Sequence, residues 1–167
     1  ALLGRQDLRA AEDTLRRWMA AAALVRARSD GGVVAVVAES AIPTVQALIR
    51  WDPVGHADAE LDGRGEVGLP PAVHMAAVDG ARAAVKVLLE TAELPAAAEQ
   101  LGPVELPPGA RRPPGVEADA EVSRMLVRVP RDGGLALAAA LRRAVAVLSA
   151  RHDQEPSRVQ IDPLHIG

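Results

Sequence analysis

The stretch Leu101-Gly102-Pro103-Val104, followed after an interval by Val122-Ser123-Arg124-Met125-Leu126-Val127-Arg128-Val129-Pro130, decides the fold. Short apolar runs bounded by Pro and Gly read as strands. Between them, Glu105 to Glu121 holds Pro107-Pro108, Gly109, Pro113-Pro114 and Gly115. Proline has no N–H to donate to a ladder, so this interval reads as a loop joining two strands. On either side lies one long Ala/Leu/Val helix, and beyond each helix another strand. The central pair therefore sits inside a β-α-β-β-α-β order.

Working outward, Val73 to Val78 reads as the first strand, with Asp79-Gly80 as its exit turn. Ala81 to Glu93 carries Ala84, Val85, Leu88 and Leu89 on one side and Arg82, Lys86 and Glu90 on the other, which is helical spacing. Leu101 to Leu106 and Val122 to Val129 are the second and third strands. Leu135 to His152 is a helix with Leu137, Leu141, Val145 and Leu148 inward, and Arg158 to Asp162 is the last strand. Two β-α-β units split around a hairpin give a ferredoxin-like plait, an α+β fold with both helices on one face of an antiparallel sheet. Strand alternation places Ser123, Met125, Val127, Val129, Val159, Ile161, Val73 and Met75 toward the helices. Arg124, Arg128, Arg158, Gln160 and His74 then share the open face, either as a solvated or domain-contacting surface or as a ligand site.

Upstream, Asp7 to Arg28 predicts a helix carrying Leu8, Ala11, Leu15, Trp18, Ala22 and Val25 on one face, stopped by Asp30-Gly31-Gly32. Val33 to Ala38 is nearly continuous Val and Ala, the pattern of a strand buried on both faces. Ser40 is placed to cap a short helix with Ile42, Val45, Leu48 and Ile49 inward. This part reads as the last helix-strand-helix of a parallel α/β unit whose earlier strands precede it. The domains expected are 1–53, a connecting segment 54–72 with some helix over Ala57 to Leu61, and 73–167.

Composition narrows the function. The net charge of −3 gives no global attraction to nucleic acid, so such binding must be local. With no Tyr or Phe, and only Trp18 and Trp51, a base-stacking platform for RNA or single strands is nearly excluded. The absence of cysteine removes disulfides, thiol nucleophiles and cysteine zinc sites within the chain. No apolar run looks long enough for a membrane span, and no signal peptide is evident. The opening Ala-Leu-Leu-Gly lacks a starting Met and reads as part of a longer protein. His56, His74, His152 and His165 lack metal-ligand spacing, and no Gly-rich phosphate loop follows a strand. Arg111-Arg112 at the loop tip is the best local candidate for a phosphate contact.

Several segments together resemble the primosomal protein N-prime (PriA) family of replication-restart proteins. Asp7-Leu8-Arg9-Ala10-Ala11-Glu12 is similar to the Asp-Phe-Arg-Ala-x-Glu before that family's last helicase motif. Arg64 with Leu69-Pro70-Pro71 resembles its turn into the C-terminal domain. Leu101-Gly102-Pro103-Val104 with Arg124 resembles its Gly-Pro strand and later arginine, and Ile161-Asp162-Pro163 its closing Asp-Pro. The resemblance implies the end of a RecA-like helicase lobe followed by a plait similar to the ribosomal S10-type fold. It implies a cytoplasmic protein that binds forked or single-strand-containing DNA, single-stranded-DNA-binding protein and other primosome proteins. The family's zinc and nucleotide sites would lie upstream, leaving no cofactor in this segment.

The departures are informative. The last motif, Gln-x-x-Gly-Arg-x-x-Arg in the family, here holds Ala20, Ala23, Leu24 and Ala27, as expected of an actinobacterial-type member. Leucine cannot stabilise the charge developing on a γ-phosphate, so the segment is expected to be non-catalytic. The run Trp18 to Val25 reads instead as core helix. The DNA-contacting candidates are Arg111, Arg112, Arg124 and Arg128. The alternatives are a purely structural domain packed on helicase lobes, or an RNA- or ribosome-associated plait.

Overall fold

The computed structural model describes residues 7–107, 109–117, 119–151, 155–164 and 166. The chain divides into two compact units, Ala1–Gly63 and Arg64–Gly167. The second is the expected plait. Its strands are β1 (Val73–Gly80), β2 (Glu99–Glu105), β3 (Ser123–Pro130) and β4 (Ser157–Ile161), in the order β2-β3-β1-β4, and every pairing is antiparallel. Helix α4 (Arg82–Thr91) and helix α5 (Gly134–Ala150) complete it, numbered after three helices, α1 to α3, described below.

Both helices pack on one face. Ala84, Val85, Leu88 and Leu89 of α4 are buried, as are Leu137, Ala140, Leu141, Ala144 and Leu148 of α5. They meet Ala76, Val78, Val127 and Val129 in a single core, with Met125 and Val159 at its margin. Val145, expected inward, is 37% exposed, because the α5 stripe is centred on Leu141 and Ala144 instead. Helix α5 with the turn before it, Arg131–Ala150, does reach the length and mean apolarity of a membrane span, contrary to expectation. Arg131, Asp132, Arg142 and Arg143 hide this in the sequence, and the buried stripe is that of a helix packed on a sheet.

Strands β3 and β4 face as the alternation predicts, but β1 is inverted. His74 pairs with Val129, Ala76 with Val127 and Val78 with Met125, so His74, Ala76 and Val78 share the helix face. Val73 and Met75 lie on the opposite face. Met75 through Gly80 are all buried, so this strand carries no inside–outside contrast from which to read a phase. Its helix face takes small residues, which lets the helices approach closely. A Cβ on Gly134, in the first turn of α5, would fall 2.5 Å from His74 Cδ2.

Strand β2 breaks register between Leu101 and Val104. Pro103 cannot donate to the ladder, and Gly102 adopts φ +118 with its Cα side against the Arg124 carbonyl. The Gly102–Pro103 and Pro70–Pro71 peptides are cis.

In the first unit, α1 (Ala10–Ala22) packs Leu15 against Ala47 and Leu48 of α2 (Pro43–Arg50), with Trp18 and Met19 beside them. Asp7 starts α1, its Oδ1 accepting the Arg9 N–H at 2.7 Å. The helix ends at Ala22 rather than Arg28, and Leu24 is 88% exposed. The reading of Trp18 to Val25 as a core helix therefore fails beyond Met19. Alanine propensity alone does not sustain a helix that has nothing to pack against.

The expected strand Val33 to Ala38 has no regular structure, and Val33 is 80% exposed. A strand needs a neighbour for its N–H and C=O groups, and this unit has no strand among its described residues. Ser40 does not cap α2. Pro43 occupies the first helical position after Ile42, and the Ser40 carbonyl accepts from Gln46 Nε2 at 2.6 Å. Ile49 is exposed, while Thr44, Val45, Ala47 and Leu48 are inward. Most of the segment expected to connect, 54–72, is helical as α3 (Pro53–Val67), with Asp52 Oδ1 accepting the Gly55 N–H at 2.8 Å, and residues 68–72 are turns.

Candidate nucleic-acid interface

The sheet face away from the helices carries Arg124 and Arg128 of β3, Asp79 of β1 and Arg158 of β4. Register sets Asp79 opposite Arg124 on one side and opposite Arg158 on the other. Arg124 clamps Asp79 in a bidentate pair, Nε to Oδ1 at 2.8 Å and Nη2 to Oδ2 at 3.0 Å. Arg158 Nη1 stands 3.8 Å from the same Oδ2. The side chains of Arg124 and Asp79 are 2% and 0% exposed, and that of Arg158 is 27% exposed. The face expected to be open is thus closed at Arg124, and its guanidinium is held inside the protein. The sequence presents Asp79 as a turn residue. Its place opposite an arginine on each neighbouring strand depends on the phase of β1, which a strand buried on both faces does not display.

Arg128 lies four residues along β3, about 13 Å from Arg124 at strand rise. Its Nε and Nη2 donate to Glu99 Oε2 at 2.9 and 2.7 Å. Its Nη1 donates to the Val67 and Gly68 carbonyls at 3.2 and 3.4 Å. These are the last carbonyls of α3 and its exit, where a cation satisfies both the hydrogen bonds and the helix dipole. Gly68, at φ +64, makes room, since a Cβ there would fall 2.5 Å from Nη1. Arg124 and Arg128 therefore do not form one patch, and each is engaged by the fold itself.

The loop between β2 and β3 is closed at its neck by Leu106 N–H to the Val122 carbonyl at 3.3 Å. Within it, Arg112 Nη2 donates to the Glu117 carbonyl at 3.1 Å and to the Ala120 carbonyl. Arg112 is half-buried, and its Nε has no partner among the described residues. The loop reaches β4, where Arg158 Nη1 donates to the Arg111 carbonyl at 3.1 Å. The Arg111 side chain is exposed, as are Glu117, Asp119 and Glu121. Arg111 and Arg112 are thus neighbours in space, but Arg112 folds the loop while Arg111 projects from it. Arg158, assigned only to the open face by sequence, is the arginine that the loop brings beside them.

His74, expected outward, lies on the helix face with Nδ1 2.9 Å from Asp162 Oδ2. Asp162 also accepts the Met75 N–H through Oδ1 at 3.1 Å and donates its own N–H to the Met75 carbonyl at 2.7 Å. At φ 45 it turns the chain out of β4, a conformation a short polar side chain tolerates. His56 is buried with Nε2 3.1 Å from Thr44 Oγ1. His152 and His165 lie outside the described residues.

Residues 65–164, the span of the plait, match the family model described as the primosomal protein N C-terminal domain. The chain belongs to the PriA family. It is 66% identical over 167 residues to a "Probable replication restart protein PriA" of Mycobacterium leprae, covering all of this chain and 26% of that protein. It is 67% identical over 174 residues to the protein of the same description from Mycobacterium tuberculosis H37Rv, again over the whole chain and 27% of the relative. The chain spans about a quarter of the length of the curated relatives it matches. Most of the residues that carry the PriA resemblance have internal contacts. Arg64 Nη1 reaches the Pro70 carbonyl at 3.5 Å, Gly102-Pro103 makes the β2 irregularity, Arg124 holds Asp79, and Asp162 fastens β4 to β1. At the positions of the last helicase motif, Ala20 ends near the C-terminus of α1, and Ala23, Leu24 and Ala27 follow it, all exposed.

Proposed function

We propose that this chain is the non-catalytic C-terminal part of a cytoplasmic PriA replication restart protein. In that protein it helps hold forked or single-strand-containing DNA together with single-stranded-DNA-binding protein and other primosome proteins. The family match over residues 65–164 carries this reading, because it coincides with the plait. The DNA contact is made to phosphates, since the plait offers guanidinium groups and residues 64–167 hold no Trp, Tyr or Phe. Of the four arginines expected to do this, Arg111 is the one with an exposed side chain. Zinc and nucleotide chemistry belong to the upstream part of such a protein.

A second reading, a module that only packs on the rest of the protein, is favoured by the burial of Arg124 against Asp79 and by the pairing of Arg128 with Glu99 and the end of α3. Fork-DNA titration of the full-length protein with and without Arg111→Ala, across a salt series, separates the two. The expected result is a salt slope lower by about 0.9, with sequence preference unchanged. An affinity and slope identical to the unmodified protein leave the packing role standing.

A further inference from the structure

We infer that Arg158 and Arg111 together form a site for one stretch of DNA phosphodiester backbone at the junction of β4 and the β2–β3 loop. This deepens the function proposed above and rests on it. Asp79 is shared by two guanidiniums, with Arg124 taking both carboxylate oxygens and Arg158 standing 3.8 Å from Oδ2. Arg124 already takes both oxygens of that carboxylate, and Arg158 is the more exposed of the two arginines, its side chain 27% exposed against 2%.

The geometry adds to the charge. Arg158 gives Nη1 to the Arg111 carbonyl at 3.1 Å and Nη2 to Gln160 Oε1 at 2.9 Å. A guanidinium has five N–H donors, so among the described residues Nε and part of the terminal edge are left for an acceptor from outside. The bond to the Arg111 carbonyl anchors the backbone of the residue whose own side chain is exposed, so the chain that bears the second cation is fixed at this strand end. Arg112, by folding the loop onto the Glu117 and Ala120 carbonyls, stiffens that arrangement. Planar forks suit phosphate oxygens bidentately, and a cation half-sheltered from water binds them more strongly than a fully exposed one. The exposed carboxylates Glu117, Asp119 and Glu121 of the same loop, and Glu155 before β4, are the opposing charges. They oppose the approach of any anion and weaken the field of the site.

The test is a salt series of fork-DNA binding by the full-length protein carrying Arg111→Ala, Arg158→Gln, both changes together, or Arg158→Lys. Each single loss should lower the slope by about 0.9, roughly a fivefold loss of affinity at 0.15 M salt, and the double change by about twice that slope. Arg158→Lys should keep most of the slope, and inorganic phosphate alone at millimolar concentration should not compete. Thermal melting of each variant reports folding. A slope lowered by Arg111→Ala but untouched by a folded Arg158→Gln overturns the two-arginine site while leaving the DNA-binding reading intact. A double change no worse than either single change also overturns it, because Arg158 then acts only by positioning Arg111. Slopes unchanged in every variant refute both this site and the DNA-binding reading.

Discussion

Replacing Arg124 by alanine should destabilise the plait severely without acting as the loss of a DNA contact. Its guanidinium holds both oxygens of Asp79 at 2.8 and 3.0 Å, and both side chains are essentially sealed from water. Removing one partner of a buried pair strands the other charge and typically costs about 3–5 kcal/mol. Arg158, at 3.8 Å from Oδ2, remains as partial compensation and draws the expectation to the lower end, about 3 kcal/mol. With a urea slope of about 1.5 kcal/mol/M, that is a fall in the unfolding midpoint of about 2 M. The paired change Arg124→Met with Asp79→Leu removes both charges and should recover most of the loss, to within about 1 kcal/mol of the unmodified protein. Urea unfolding followed by circular dichroism, with fork binding measured in parallel, checks this. A midpoint unchanged by Arg124→Ala, accompanied by a lower salt slope for fork DNA, would refute the assignment of Arg124 to the interior.

Leu141→Ala should cost about 2–5 kcal/mol, because Leu141 is fully buried among both helices and the sheet. Val145→Ala, at a residue 37% exposed, should stay below about 1 kcal/mol, and equal midpoint shifts for the two would show that the α5 face is misassigned. DNA-stimulated phosphate release by the full-length protein should not depend on Arg26 or Arg28, which lie beyond α1 on exposed chain. Turnover that disappears on changing either one would overturn the non-catalytic reading of this segment.

The plait was legible because its signals were redundant. Helix stripes at Ala84–Leu89 and Leu137–Leu148, prolines on either side of the loop, and alternation in β3 all required the same topology. What failed in the fold was read from one signal alone. The Val-rich run Val33 to Ala38 has strand composition, but composition does not supply a neighbouring ladder. The run Trp18 to Val25 has helical residues without a surface to bury them. Strand β1 was placed correctly yet phased wrongly, since a strand buried on both faces has no polar side to declare itself.

The candidate site was harder to read for a different reason. Alternation correctly sent Arg124, Arg128 and Arg158 to one face, but which arginine stays available depends on what stands opposite it. Asp79 reaches Arg124 across 45 residues, while Glu99 takes Arg128 across 29 and the Val67 carbonyl takes it across 61. Those partners are set by register and by a helix end that did not read as a helix. The loop shows the same effect within one dipeptide. Arg111 and Arg112 are equivalent in the sequence, yet the half-buried Arg112 turns back onto the Glu117 and Ala120 carbonyls while Arg111 stays exposed. An arginine adjacent to its own loop carbonyls is a fold element first, and its neighbour inherits the surface. Arg111, held by its carbonyl to Arg158, is therefore where the positive charge of this face meets solvent.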